Sequence, residues 1–482
     1  MTKKWMLPAA ITVSLTVGVA GGMYVGPDIF LKWKTPKNDT SEEGHSLQID
    51  SKTDLTKVKQ AYDLIRQYYF KEVDEDVLMS GAIQGMVSTL NDPYSVYMNK
   101  DVSAQFNQAL DSSFDGIGTE IGVENDKVII VAPYKNSPAE KAGLKPKDEI
   151  ISIDGKIVKG LNVQEISMKI RGKKGTKVTL EIKRSGVSKT QTFAIKRDKI
   201  PVETVMSEVK EESGKNIGYI EISSFSKDTS KDFEKQLKAL EKKDIEGLII
   251  DVRGNPGGLL SSVEEILNEL ITNDNPYLQT ENRSGEQTEY YTKLKEKKPY
   301  NIVALIDRGS ASASEILAAA LQEAGGYALI GEKSYGKGTV QQAIPMNDGS
   351  DVKLTVSKWL TPKGNWIHQK GIEPTIEIKQ PDLFWTQPIN IDKSLKRDMT
   401  NEQVKHAQEI LKGLGYEPGR EDGYYDLRTE IAVRAFQKSE GLKATGNINL
   451  KTANALEDEI KDEMKDKDND MQLRAAIRYL LK

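Results

Sequence analysis

The chain has 482 residues, 38% hydrophobic and 29% charged, with a formal net charge of −4. That length asks for about three or four domains, and the charge balance offers no field for gathering nucleic acid, so no nucleic-acid partner is expected. Cysteine is absent, which excludes disulfides, thiol nucleophiles and thiolate metal sites; with His45, His368 and His406 scattered and no H-x-x-x-H pair, neither a catalytic metal nor a cofactor is expected.

Lys3 and Lys4 precede an apolar run from Trp5 to Leu31, and Lys32 and Lys34 follow it. Residues 1–34 therefore read as an export signal or membrane anchor. The lack of a clean A-x-A site favours an uncleaved anchor, and the leading lysines put the rest of the chain outside the cytoplasm. Residues 35–51 are a polar linker. In residues 52–110, Leu55–Leu90 carries helical spacing for two helices, stopped at Asn91-Asp92-Pro93.

Residues 111–198 change period. Val128–Ala132, Ile150–Ile153 and Val178–Lys183 alternate as strands, with helical segments at Ser137–Gly143 and Asn162–Ile170. Residues 199–380 alternate strands (Gly218–Phe225, Gly247–Val252, Ile302–Ile306, Ala328–Gly331, Lys353–Trp359) with helices (Lys231–Leu240, Leu259–Leu270), which predicts an α/β core. Residues 396–458 form a small helical module. Residues 459–482 hold a charge run and an amphipathic helix, Met471–Lys482, with Leu473, Ala476, Ile477 and Leu480 on one face.

Asp307–Leu321 reads DRGSASASEILAAAL, with serines at 310, 312 and 314. Ser312-Ala-Ser-Glu315 has the form of a capping box, so Ser312 is either a helix cap or a nucleophile exposed at a helix start. A nucleophile needs a base, and no acidic orienter stands out for His368. A lysine serves only if burial lowers its pKa from about 10.4. Lys337 stands between Gly336 and Gly338, and glycines let the backbone approach its surroundings closely. Gln341 follows, a neutral amide that orients an amine without holding it protonated. Asp251–Leu259, DVRGNPGGL, offers Gly257 and Gly258; their N–H groups, with that of Ala313, form a candidate oxyanion hole. The alternative is a tight strand-to-helix turn.

Together, S-A-S-A-S-E, Y-G-K-G-T-V-Q and D-V-R-G-N-P-G-G-L resemble the carboxy-terminal processing peptidases, or tail-specific proteases, of the Gram-positive type with PDZ and peptidoglycan-binding domains. The resemblance spans about Leu55–Ile378 and includes N-D-P-Y-S at Asn91–Ser95 and G-I-E-P at Gly371–Pro374. It implies a Ser312 nucleophile, a Lys337 general base and a Gln341 that positions the lysine. FDGIG at Phe114–Gly118 and SPAEKAGLKPKDEIISIDG at Ser137–Gly155 resemble a PDZ domain. Gly116, Ile117 and Gly118 would be its carboxylate loop; Arg171 would bind the carboxylate or report its arrival, or is a solvated loop arginine. Asn401–Leu456 resembles a three-helix peptidoglycan-binding domain.

The fold expected is thus multidomain α/β and β: an α/β serine-protease core with an inserted PDZ domain and a small three-helix module. The expected function is an extracytoplasmic serine endopeptidase with a Ser–Lys dyad, gated by tail recognition, with protein tails, peptidoglycan and the membrane as partners. The resemblance further implies a homodimer through Leu55–Leu90 and Met471–Lys482, and processing in developmental signalling such as spore formation. A non-catalytic wall-anchored PDZ scaffold is the alternative.

Overall fold

The computed structural model describes Met23–Tyr24 and residues 55–482, except 125–126, 162, 185–186, 188, 392 and 466–468. The anchor and linker expected over 1–51 lie outside the described residues, apart from Met23–Tyr24, a short strand β1 parallel to Val340 and Gln341. No helix of the described residues is long and apolar enough to cross a membrane.

The two N-terminal helices form: α1 (Thr56–Tyr68) and α2 (Glu75–Ser88). Asp74 caps α2 by accepting from the N–H groups of Asp76 and Val77. Neither helix buries a residue, and Leu64, Tyr68, Phe70 and Val77 stand exposed. After the Asn91–Ser95 turn come strand β2 (Val96–Met98) and helix α3 (Lys100–Leu110), which the spacing does not mark.

The chain enters the β-rich domain through β3 (Ser113–Gly116) and leaves through β10 (Asp198–Pro201), which pair antiparallel. Between them lies the sheet β4-β5-β6-β8-β9 (Thr119–Glu124, Lys127–Pro133, Glu149–Ile153, Lys177–Lys183, Gln191–Lys196), with β7 (Lys156–Ile157) beside β6. Helices α4 (Pro138–Ala142) and α5 (Val163–Ile170) complete the PDZ-like domain. Val178, Leu180 and Ile182 are fully buried, as the two-residue period requires.

The core sheet has the order β11-β12-β13-β16-β17-β20 (Val205–Glu212, Lys215–Ile222, Gly247–Asp251, Asn301–Ile306, Ala328–Gly331, Ile376–Glu377), parallel from β12 onward. Such a sheet needs cover on both faces. One face packs under α6 (Thr229–Glu241), α7 (Leu260–Leu267) and α8 (Ala313–Ala319), through Ile220, Leu248, Ile250 and Ala304. The other face, Ile217, Ile249, Val303 and Leu305, is covered by Leu473, Ala476 and Leu480 of the C-terminal helix. The apolar stripe predicted for that helix is therefore engaged inside its own chain, which removes it from the expected dimer surface.

A second sheet holds β18 (Thr339–Pro345) and β19 (Asp351–Leu360), extended by β14 (Leu278–Asn282) and β15 (Gln287–Tyr290), with β2 on β19. Periodicity does not mark Thr339–Pro345, which becomes a strand by pairing with β19.

The C-terminal module is three helices, α9 (Glu402–Gly413), α10 (Leu427–Ser439) and α11 (Leu450–Lys465), around Val404, Leu411, Val433, Phe436 and Leu456. The charge run begins as the outer face of α11. Gln437 of the F-Q signature is buried, donating to Thr452 Oγ1 and accepting from Gly446 N–H. The module is an insertion whose ends meet: Gln380 donates to Asp470 at 2.7 Å, and Gln472 donates to the Ile378 carbonyl at 2.8 Å. Helix α12 (Met471–Leu480) then docks through Arg253, which pairs with both Asp251 and Asp470.

Asp470→Ala leaves the Arg253 charge half-matched in a nearly dry site and unpins α12. We expect a loss of about 2–3 kcal/mol, measured by urea unfolding. An unchanged midpoint would remove this clamp from the account of the fold.

Candidate active site

The three serines separate by what their hydroxyls do. Ser310 Oγ donates to the Val252 carbonyl at 2.7 Å, and Ser314 Oγ donates to the Asn255 carbonyl at 2.8 Å. Both are structural ties to the turn after β13. Ser312 Oγ is buried without a hydrogen-bond partner among the described residues. Its backbone sits at φ 56°, ψ −111°, the one positive-φ serine of the three. Such a conformation in a non-glycine residue is strained and persists only where the surroundings enforce it.

The enforcement comes from two sides. Asn255 donates to the Ile222 carbonyl and accepts, through its own carbonyl, from Ala311 N–H. Gly257 presses against the serine turn so closely that a Cβ there would lie 2.8 Å from Ala311 O and 3.0 Å from Ser312 Cβ. On the other side Glu315, fully buried, accepts from four donors: the N–H groups of Ser312 (2.8 Å), Gly336 (2.6 Å) and Lys337 (2.8 Å), and Ser334 Oγ (2.6 Å). One carboxylate thus fastens the loop of Lys337 to the helix start of Ser312. Burial raises its pKa, against the four donors.

Of the three backbone donors expected to form an oxyanion hole, one is engaged. Gly257 N–H donates to Asn255 Oδ1 at 2.9 Å, because the turn that brings Gly257 against Ser312 is closed by that amide. The N–H groups of Gly258 and Ala313 have no acceptor among the described residues, and Ala313 opens α8, where orphan N–H groups and the helix dipole favour negative charge.

Lys337 is 2% exposed. Its loop is held down from the far side: Trp359 Nε1 donates to the Lys337 carbonyl at 2.7 Å and Trp366 Nε1 to the Gly338 carbonyl at 2.8 Å. A Cβ on Gly338 would lie 2.8 Å from His368 N, which is the close approach the glycines permit. The amine lies over the Tyr94 ring at 4.4 Å. Burial and the charge of Lys353 bring its pKa down to about 7, against the opposing pull of Asp92 and Glu315.

Gln341 is buried, and its Nε2 donates to Thr339 Oγ1 and Thr355 Oγ1, both at 3.0 Å. Thr355 Oγ1 in turn lies 2.6 Å from Asp92 Oδ2. A carboxylate only accepts, so the Thr355 hydroxyl donates to Asp92 and accepts from the amide. This fixes the amide so that Oε1 is left a buried acceptor with no partner among the described residues. The N-D-P-Y-S turn thus supplies Asp92 and Tyr94 to the site, roles that sequence spacing alone does not reveal. Although burial opposes it, hydrogen bonds from Ser95 and Thr355 hold the Asp92 carboxyl below its ordinary pKa.

His368 stacks on Trp366 with ring centroids 5.3 Å apart, and among the described residues no carboxylate orients its buried Nδ1. His406 lies in the C-terminal module, where it meets the Pro388 carbonyl, and His45 lies outside the described residues. Among the described residues no cluster of His, Asp and Glu could hold a metal.

In the PDZ-like domain, Gly116, Ile117 and Gly118 line a groove of about 420 Å³ with Ile121, Ile170 and Arg171. Arg171 remains exposed, but its guanidinium lies 4.5 Å over the Phe114 ring, and the partial burial this brings lowers its pKa. It also lines the larger cleft between this domain and the core, beside Ser224 and Ser226.

Four family models match parts of the chain. The model of peptidase family S41 matches residues 216–378, that of the activating protease CtpB N-terminal domain 15–102, a PDZ domain 129–184 and a peptidoglycan binding domain 400–456. The carboxy-terminal processing protease CtpB of Bacillus subtilis is 53% identical over 461 residues, 95% of both chains, and CtpA of the same organism is 44% identical over 90% of this chain and 91% of its own. A solved photosystem II D1 C-terminal processing protease is 26% identical, covering 68% of this chain and 87% of that one at a TM-score of 0.42.

Glu315→Gln keeps the shape but places an amide NH₂ among four donors. We expect a loss of about 3 kcal/mol in stability and at least a hundredfold loss of peptide cleavage. Thermal unfolding and a cleavage assay read both; wild-type behaviour in the two would remove Glu315 as the brace of the site.

Proposed function

The chain belongs to peptidase family S41, the carboxy-terminal processing serine proteases, and we propose that it cleaves extracytoplasmic protein substrates with a Ser312–Lys337 dyad. The observation that carries this reading is the pair formed by an unpartnered Ser312 hydroxyl and a desolvated Lys337 amine, with its pKa near 7, fastened together by Glu315.

Ser312 Oγ attacks the scissile carbonyl while neutral Lys337 takes its proton. The Gly258 and Ala313 N–H groups receive the oxyanion. The ammonium then returns the proton to the leaving amine, and water repeats the cycle on the acyl-enzyme. Gln341 Oε1 is the acceptor that aims the amine.

The groove beside Ile117 takes an apolar C-terminal residue as an added strand, its carboxylate held by the Gly116–Gly118 loop. Arg171 links that groove to the cleft facing the core, so tail capture is coupled to opening of the protease. The apolar side chains left exposed on and after α1, Leu64, Tyr68 and Phe70, support a homodimer through the N-terminal helices. The basic-then-apolar start supports membrane anchoring with the body outside, and the C-terminal module supports contact with peptidoglycan. Developmental signalling such as spore formation is the setting we propose, on the identity to the Bacillus subtilis relatives; sporulation counts in a strain carrying Ser312→Ala test it.

The test of mechanism is cleavage of an unstructured protein by the full-length chain. Ser312→Ala and Lys337→Ala are expected to abolish it at unchanged melting temperature. Cutting that survives Ser312→Ala would falsify the dyad. A wild type that stays inert with an apolar-tailed peptide would favour the scaffold. The base works in its neutral form, so activity should rise with pH through a midpoint near 7; a flat profile from pH 5.5 to 8.5 would count against Lys337. Arg171→Ala should lose at least tenfold of the stimulation by an apolar-tailed peptide with its fold intact. Leu64→Glu with Phe70→Glu should yield a monomer in sedimentation; an unchanged mass would move the dimer contact elsewhere.

A further inference from the structure

A second lysine lies buried beside the site, and the mechanism above gives it no work. Lys353 is 9% exposed. On β19 the residues Asp351, Lys353 and Thr355 share one face, as strand alternation requires. Asp351 meets Ser103 of α3, Lys353 Nζ lies 5.2 Å from the Phe106 ring of α3, and Thr355 meets Asp92. The stripe therefore runs under α3 into the catalytic corner. Lys353 ends next to the group that orients Gln341. Among the described residues no carboxylate lies within ion-pair distance of its amine, although Asp92 acts on both Lys353 and Lys337.

We infer that Lys353 is a positioning residue of the dyad, an ammonium that shares the field of Asp92 with Lys337 and repels a proton from the catalytic amine. The inference rests on the Ser312–Lys337 reading. Asp92 is needed to orient Thr355 and through it Gln341. Its negative charge carries a penalty, because it favours the protonated and inactive form of Lys337. A second cation two residues along the strand from Thr355 offsets that charge while leaving the hydrogen bonds intact. Among the described residues, the groups acting on Lys337 include Asp92 and Tyr94 from the N-terminal turn, Glu315 from α8 and Lys353 from β19, with the His368–Trp366 stack near Gly338. Tyr94 stays neutral, its pKa pushed up to about 12, first by burial. Lys353 is thus the one cationic side chain in that set that opposes the two carboxylates. Its own burial favours the neutral amine and Asp92 the charged one, and Asp92 acts on both lysines.

The sign follows directly. Removing the Lys353 charge stabilises the Lys337 ammonium, raises the pH at which the base becomes neutral, and slows cleavage at neutral pH. Full-length Lys353→Met is expected to move the midpoint of the acid limb of kcat upward by about one pH unit. That is about a fivefold loss at pH 7, with recovery toward wild type at pH 9. Lys353→Arg keeps the charge and is expected to keep the midpoint. A merely structural role predicts an equal loss at every pH and an unmoved midpoint, and that result overturns the inference while leaving the dyad standing. Activity that survives Lys337→Ala instead overturns the dyad itself.

A second measurement reads the amine directly. In Ser312→Ala protein, competitive acetylation of Lys337 is followed by mass spectrometry across pH, with and without Lys353→Met. The added substitution is expected to move the Lys337 midpoint upward by about one pH unit. An unmoved midpoint overturns the inference.

Discussion

A lone carboxylate, Glu315, buried among backbone donors, is the constraint on which the rest of the site hangs. Taking such a charge from water costs several kcal/mol unless its oxygens are filled. Here both are, with two donors each. Three of the donors are backbone N–H groups, and they come from two loops separated by more than twenty residues. The carboxylate is satisfied only when the helix start and the Gly336–Gly338 loop are docked together. Local strain at Ser312 is thereby held by a tertiary contact, as an enforced positive-φ residue requires.

The proposed Ser–Lys site also needs polar atoms kept dry, and that conflicts with ordinary hydrogen-bond satisfaction. Among the described residues, Ser312 Oγ and Gln341 Oε1 are both buried without partners. Each orphan is created by its neighbours. Ser310 and Ser314 take the carbonyls near the serine turn, and Thr339 and Thr355 take both hydrogens of the glutamine amide. What remains unpaired faces chemistry rather than structure. Desolvation lowers the Lys337 pKa, whereas a carboxylate placed on the amine would hold it protonated. Asp92 reaches the site through Thr355, and Glu315 holds the Lys337 loop through its backbone.

Much of this was legible because the relevant signals are local. Glycines around Lys337 and an S-x-x-E at a helix start mark close approach and a cap, and two-residue alternation marks Val178–Ile182. What escaped depends on contacts distant in sequence. Thr339–Pro345 has no strand period of its own and is defined by β19. Helix α12 shows an apolar stripe that suits a partner chain as well as a sheet, and only the parallel sheet's need for a second cover decides between them. Glu315 reads as half of a capping box, yet its main work is across to residues 334–337. Gly257 and Gly258 read alike in sequence, but the Asn255 amide claims the N–H of one and leaves the other open.

The N-terminal region enters the site as more than an accessory. The Asn91–Ser95 turn brings Asp92 to Thr355 and Tyr94 under Lys337, and β2 pairs with β19 at Lys353. A core formed from residues 199–380 alone would hold Ser312 and Lys337 but lack the group that fixes Gln341 and the ring that walls the amine. Desolvation of the lysine is thus a property of the assembled chain, because water reaches the amine until that turn is seated. The turn follows α2 directly, and α3, which covers Lys353, leads into the β3–β10 ribbon that carries the PDZ-like domain. The electrostatics of Lys337 and the position of the PDZ-like domain are therefore set by one continuous segment, residues 91–116.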